Sequence, residues 1–175
     1  MRLFIAITFN QETRKKIHTV QQRLIQRATR VSPVPPEQFH LTLVFLGEID
    51  KQQLSPVKKV IAETDFSPMK LLFDHVGRFQ RKSGDIWWLG TAEHDTLNSL
   101  RAHLVSQLVQ RELLVNKTAF TPHVTLARHV LTEEAVLPCD LLTTGFSTVI
   151  TSISLIHSAN IAGKTTYTEI FRKTP

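Results

Sequence analysis

Cysteine is nearly missing from this chain. A single thiol, Cys139, in 175 residues leaves no partner for an internal disulfide and too few thiolates for a cysteine-based zinc cluster, which fits a reducing, cytoplasmic setting. Long apolar runs are missing as well. None approaches the ~20 residues that a helix needs to cross a bilayer, so no membrane role is expected. The short run Leu3 to Ile7 follows Met1-Arg2 at once and is too soon punctuated by polar residues to act as a signal peptide. Acidic residues are outnumbered, 15 Asp and Glu against 21 Lys and Arg, giving a net charge of +6. That surplus favours an anionic partner such as nucleic acid or a phosphate ester, although a merely solvated basic surface is a common alternative. With 42% hydrophobic residues the chain can bury a real core, and residues 1–175 are expected to form one domain.

What is present is a phrase that occurs twice, His40-Leu41-Thr42-Leu43 and His123-Val124-Thr125-Leu126. On a β-strand the His and Thr of each copy share one face and the apolar pair points to the other. The bare pattern His-x-Thr is weak, since 8 His and 20 Thr predict about 0.9 chance copies, and a third copy does occur at His94-Asp95-Thr96. Demanding Val, Ile or Leu at both remaining positions lowers the expectation to roughly 0.07, so two such copies carry information.

Around the phrases the spacing predicts a central strand over 2–8, then a helix capped by Asn10 that buries Ile17, Val20, Leu24 and Ala28 beneath a basic outer surface. Pro33, Pro35 and Pro36 make 31–38 an extended connection into the first phrase, whose strand should end at Leu46-Gly47. A second helix should start at Asp50 or Ser55, with Pro56 confined to its first turn. Strands over 69–76 and 86–90 should flank a polar loop, 77–85, whose Arg78, Arg81 and Lys82 could hold a polyanion. Trp87 and Trp88 must face opposite ways there, one into the core and the other able to stack on a base. A helix over 95–112 follows, with His94 and Thr96 at its edge as capping or surface residues. Residues 131–147 give mixed signals, and two final strands, 149–157 and 165–172, should flank a hairpin loop over 158–164. The phrases lie 123 − 40 = 83 residues apart, close to half the chain, which suggests a duplicated, two-lobed α+β architecture of mostly antiparallel sheet.

Brought together in a cleft, two such strands have a definite chemistry. Cleaving a phosphodiester in line needs a base for the attacking water and an acid for the departing oxygen, and two histidines with an ordinary pKa of about 6.5 supply both without a metal or other cofactor. A Thr two residues along lies roughly 6.5–7 Å from its His on the same face, where its hydroxyl can bind a nonbridging phosphate oxygen. Metal ligation is the weaker reading, because neither phrase has a carboxylate close by on the same face.

These residues resemble the two-histidine phosphoesterases, and within them the RNA 2′,3′-cyclic phosphodiesterases, historically also called 2′-5′ RNA ligases. Besides the phrases, the resemblance rests on Arg2-Leu3-Phe4-Ile5-Ala6-Ile7, on Phe39 and Val44 to Glu48 around the first copy, on Trp88-Leu89-Gly90, on Phe120-Thr121-Pro122 and Ala127-Arg128 around the second, and on Ser158, Gly163 and Tyr167. It implies a bilobal fold with two mostly antiparallel sheets facing a central cleft, helices outside, and hydrolysis of an RNA terminal 2′,3′-cyclic phosphate, or a related nucleotide, to a 2′-phosphate. It assigns His40 as the acid for the leaving 3′-oxygen, His123 as the base, and Thr42 and Thr125 to the phosphate. Arg128 matches a substrate-binding position, yet strand parity puts it opposite His123 unless a bulge intervenes. Phe45 and Tyr167 are further candidate substrate neighbours, core packing being the competing role for Phe45. The competing functions are a reversible 2′-5′ RNA ligase and a noncatalytic RNA-end binding protein; the chain is expected to act as a monomer.

Overall fold

The computed structural model describes residues 1–113, 115 and 119–175. In chain order the elements are β1 (Arg2–Thr8), α1 (Gln11–Ile25), β2 (Arg30–Pro33), a 3-10 turn (Pro36–Gln38), β3 (His40–Glu48), α2 (Lys51–Glu63), β4 (Met69–Phe79), β5 (Asp85–Thr91), α3 (Asp95–Gln110), β6 (His123–Leu131), α4 (Pro138–Leu141), β7 (Phe146–Ile150), β8 (Ile153–Ile161) and β9 (Lys164–Lys173).

Alternation along β1 divides the molecule into a packed side and an open side. Leu3, Ile5 and Ile7 are completely buried beneath the helices, while Phe4 and Ala6 point the other way and join Ile156 and Tyr167 in a small cluster lining the concave face. Asn10 accepts the Thr13 N–H at 2.8 Å and starts α1, which buries Ile17, Val20 and Leu24. This helix stops at Ile25, so Ala28 packs from the turn beyond it rather than from the helix.

All strand pairings are antiparallel, in the order β7-β4-β5-β6-β3-β1-β8-β9, with β2 added alongside β6. The order reads as two four-stranded halves whose innermost strands are β3 and β6, the strands that carry the two phrases. Among the described residues these meet at one pair, Leu41 with Val124, because β2 takes the place beside β6 farther along, pairing Ser32 with Arg128. The halves are therefore continuous yet splayed, and the sheet curls around a cleft with helices on its outer side. This is the expected α+β architecture of antiparallel sheet around a cleft, with one continuous curled sheet in place of the two facing sheets that the resemblance implies. Among the described residues no helix is long and apolar enough to cross a membrane.

Several local expectations need correction. The proline-rich segment is no plain connection: Arg30 to Pro33 forms an edge strand and Pro36 opens a 3-10 turn, both places where a missing N–H is tolerated. Helix α2 is capped at Asp50, whose N–H donates to the Gln53 Oε1 at 3.1 Å, and Pro56 sits well inside it; burial of Val57, Val60 and Ile61 outweighs the ~3 kcal/mol that an interior proline costs. Strand β3 continues through Glu48, past the expected stop at Gly47. Strand β4 runs on through Gly77, Arg78 and Phe79, so the loop is only 80–84. The stretch from Val149 to Ile156, expected within one strand, belongs to two strands on opposite halves, β7 paired with β4 and β8 with β1, separated by Thr151-Ser152. The final hairpin turns through just Ala162 and Gly163, with φ of 50° and 80°, a two-residue turn matched to strand twist.

Candidate active site

The repeated phrases open the two innermost strands. Antiparallel pairing of Leu41 with Val124 sets His40 on the side of Thr125, and Thr42 on the side of His123. Each histidine thus has one threonine on its own strand and another across the junction, all on the concave face, while Leu41, Leu43, Val124 and Leu126 are buried behind them. Both histidines and both threonines are half-buried.

The two imidazoles are held in the same way. His40 Nδ1 donates to the Gln38 carbonyl at 2.7 Å, and His123 Nδ1 to the Thr121 carbonyl at 2.6 Å. A carbonyl can only accept, so each Nδ1 carries the proton and each Nε2 remains for the cleft. Aromatic rings wall both sides. Phe4 and Tyr167 lie 4.8 and 5.1 Å from the His40 ring, and Phe79 and Trp88 lie 5.3 and 5.6 Å from that of His123. Burial is the largest influence on both groups and lowers their pKa from the ordinary histidine value. The carbonyl contacts oppose it, the Arg128 guanidinium lowers both further, and His123 also lowers His40.

The influence of Arg128 on both histidines depends on a bulge. Adjacent Trp87 and Trp88 pair with Ala127 and Thr125, leaving Leu126 as an extra residue in β6. Leu126 and Ala127 are consequently buried in succession, and the side-chain alternation reverses so that Arg128 turns to the cleft. Strand β3 does the same at the same place: Ile5 and Ala6 pair with Val44 and Thr42, Leu43 is extra, and Phe45 emerges in the cleft. Phe45 and Arg128 are therefore counterparts, each five residues after its histidine. Core packing is not the role of Phe45, which is 36% exposed with the Arg2 guanidinium 5.1 Å above its ring. The bulge in β6 is tied to α1 by the buried Gln21, whose Nε2 donates to the carbonyls of Leu126 and Val34, both at 2.7 Å.

Two hollows flank the histidines. One of about 310 Å³ has His40, Thr42, Phe45, Arg128 and Tyr167 in its lining; another of about 410 Å³ on the other side has Thr42, His123, Phe79, Arg81, Arg101 and Phe120. Of the basic loop residues, Arg81 reaches the cleft, whereas Arg78 is on the outer face, paired with Asp85 at 3.0 Å and packed over Trp87. Trp87 belongs to the core, and Trp88 lies on the cleft face against His123, in space that a side chain on Gly77 would occupy. His94, in the third His-x-Thr, caps α3 by accepting the Leu97 N–H at 3.2 Å and takes no part in the cleft. Among the described residues no group of three or more His, Cys, Asp or Glu could hold a metal ion.

No site role is read from the sequence for Gln38, Thr121, Phe79 or Phe120, although Phe120 and Thr121 stand in a resembling segment. The first two act through their backbone carbonyls, two residues before each histidine, and no shared side chain marks them in the sequence. The aromatics come from β4 and the approach to β6, where no repeat marks them. Arg2 and Phe4 stood in the resembling segment without an assigned role.

This site belongs to a known group. The profile of the 2'-5' RNA ligase superfamily matches residues 6–160. The chain is 30% identical over 173 residues to the RNA 2',3'-cyclic phosphodiesterase of Escherichia coli strain K12, covering 98% of this chain and 94% of that protein. It is 33% identical over 131 residues to the protein of the same name from Thermotoga maritima, covering 73% and 70%. The crystal structure of E. coli LigT complexed with 3'-AMP superposes with a TM-score of 0.82 at 27% identity, covering 99% of this chain and 97% of that one. A match across both histidine phrases and nearly the whole fold makes the chain a member of the 2'-5' RNA ligase superfamily.

Proposed function

We propose that this enzyme hydrolyses the terminal 2′,3′-cyclic phosphate of RNA to a 2′-phosphomonoester, with His40 and His123 as its acid and base. The reading rests chiefly on the matched Nδ1 contacts, which leave two Nε2 atoms available to one cleft. His123, neutral with a lone pair on Nε2, takes a proton from water; the oxygen attacks phosphorus, the P–O3′ bond breaks, and His40, protonated at both nitrogens, gives its Nε2 proton to O3′. Low pKa values favour the neutral base but work against the acid. The negative charge of the bound cyclic phosphate counters this by favouring the imidazolium. Thr42 and Thr125 donate to the nonbridging oxygens, Arg128 balances the charge that builds on them, and Phe45 and Tyr167 receive the nucleoside. Both histidines come from one chain, so a monomer suffices, and the exposed thiol of Cys139 suits the cytoplasm. Relatives named RNA 2',3'-cyclic phosphodiesterase support the substrate.

The test is to incubate the protein with RNA ending in a 2′,3′-cyclic phosphate and to map the product. A 2′-phosphate is expected, with His40→Ala and His123→Ala each losing on the order of 10²–10⁴ in rate while keeping the wild-type melting curve. Chelator should leave turnover unchanged. A 2′-5′ joined product, or binding without turnover, would favour the ligase or the binding protein instead.

A further inference from the structure

Where β1 gives way to α1, at one end of the sheet, a second concentration of positive charge lies beyond the histidines. Thr8 pairs with His40 across the β1–β3 ladder, and the chain then enters α1, which presents Arg14. The Nε of Arg14 is buried with no hydrogen-bond partner, and among the described residues its guanidinium has no ion pair. A partly buried cation left uncompensated is costly, and an anion that supplies the missing contacts removes that cost. Arg172 of β9 reaches the same place, held on its other side by Glu169 at 2.9 Å.

Two adjoining hollows share Thr8, Arg14 and Arg172. The inner one, about 190 Å³, includes His40, Tyr167 and the carboxylates of Glu37 and Glu169. The outer one, about 170 Å³, has no carboxylate in its lining; Asn10, Thr148, Thr151 and Ser152 complete it with amide and hydroxyl groups. The Thr148 hydroxyl is already bonded to that of Thr13 at 2.8 Å. An acceptor-rich hollow beside His40 thus leads to a donor-rich one with two arginines.

We propose that the outer hollow is a subsite for an internal phosphodiester of the RNA strand whose cyclic end sits at His40. This rests on the reading of the cleft as one for RNA ends. In-line displacement puts the leaving ribose on the His40 side and water on the His123 side, so the strand departs on the side where these hollows open. Glu37 and Glu169 accept from sugar hydroxyls in the inner hollow, and Arg14 and Arg172 hold the following phosphate with charge-assisted bonds. The consequence is a preference for oligonucleotides over mononucleotides.

The test reads binding, so it does not depend on turnover. A 5′-labelled hexaribonucleotide ending in a 3′-phosphate is titrated by fluorescence anisotropy at several salt concentrations, and a nucleoside 3′-monophosphate is titrated as competitor. Arg14→Gln should weaken the hexamer about 10-fold, leave the monophosphate unchanged, and reduce the slope of log affinity against log salt by about 0.7, the share of one phosphate contact to a single strand. Thr151→Glu, at the exposed rim, should act in the same direction. Retained monophosphate binding shows that the variants are folded. Wild-type hexamer affinity and salt slope in both variants would overturn the proposal, as would equal losses for the two ligands or a wild-type protein that binds the hexamer no better than the monophosphate. Failure of the hydrolytic reading would instead appear as absent turnover of cyclic phosphate by the wild-type protein, whatever the binding data.

Discussion

Replacing Arg128 with methionine keeps the side chain's length and removes its charge, which separates two consequences of the β6 bulge. The first is on the phosphate. A hydrogen bond to a charged group contributes about 1.5–3 kcal/mol, or roughly 10-fold to 150-fold in kcat/KM, and because Arg128 is exposed to solvent the lower end of that range applies. The second is on the histidines. The guanidinium disfavours both imidazolium forms, so its removal raises both pKa values. On the proposed roles, the base His123 then loses its proton only at a higher pH, and the acid His40 keeps its proton to a higher pH. Both limbs of the bell-shaped profile of kcat/KM therefore move in the alkaline direction, as a property of the coupled pair. The assay is hydrolysis of a cyclic-phosphate substrate across pH, beside a thermal melt. A profile that falls in height without moving, or that moves to the acid side, would refute the electrostatic reasoning. A lowered melting temperature with an unmoved profile would make Arg128 a structural residue only.

The other predictions concern the groups around it. Thr42→Val and Thr125→Val keep the strand shape and each remove one proposed donor to the phosphate, so each should cost roughly 10-fold in kcat/KM with little change in unfolding by urea. Gln21→Leu strips the Val34 carbonyl of the Gln21 Nε2 bond and loosens the bulge at Leu126; a loss of about 1–3 kcal/mol in urea unfolding is expected, together with an Arg128-like movement of the pH profile, and a stability loss without that movement would uncouple the two. Both histidines have folded-state pKa values below the unfolded value of 6.5. Between the two values the unfolded chain binds more protons, so stability should be full above 6.5 and decline as pH falls below it, until the folded pKa is passed. Urea midpoints measured downward from neutral pH should show this, and His40→Ala should diminish it.

Much of this was legible because it is local and periodic. The helices capped at Asn10, Asp50 and His94 announce themselves by side chains that bond to their first turns, and the two phrases by an alternation that only a strand uses in full. What escaped has physical reasons. The stretch from Val149 to Ile156 mixes β-branched and hydroxyl residues that a single strand can accommodate, and nothing local says that Thr151-Ser152 carries the chain from one edge of one half to the middle of the other. The hairpin joining β4 and β5 is shorter than its sequence suggests, because Gly77 looks like a loop residue when its task is to make room for Trp88. Parity alone puts Arg128 on the wrong face, and only the bulge that its proposed substrate-binding position requires turns it to the cleft. Bulges are settled by pairing with a neighbouring strand, and a single strand read in isolation does not contain them.

Read together, the two bulges explain how a duplicated frame can run a directional reaction. Duplication by itself supplies equivalents: two histidines with the same tautomer, two threonines across one junction, two strands turned at the same residue. Equivalent halves would bind a nucleotide either way round, with acid and base exchanged. The symmetry breaks five residues after each histidine, where one half presents Phe45 beneath Arg2 and the other presents Arg128. On the proposed reading, an apolar ring takes the nucleoside and a guanidinium takes the phosphate oxygens, so the ribose is held toward His40 and the attacking water is left to His123. The acid and base are then distinguished less by their own surroundings, which are nearly matched, than by which way the substrate is made to lie.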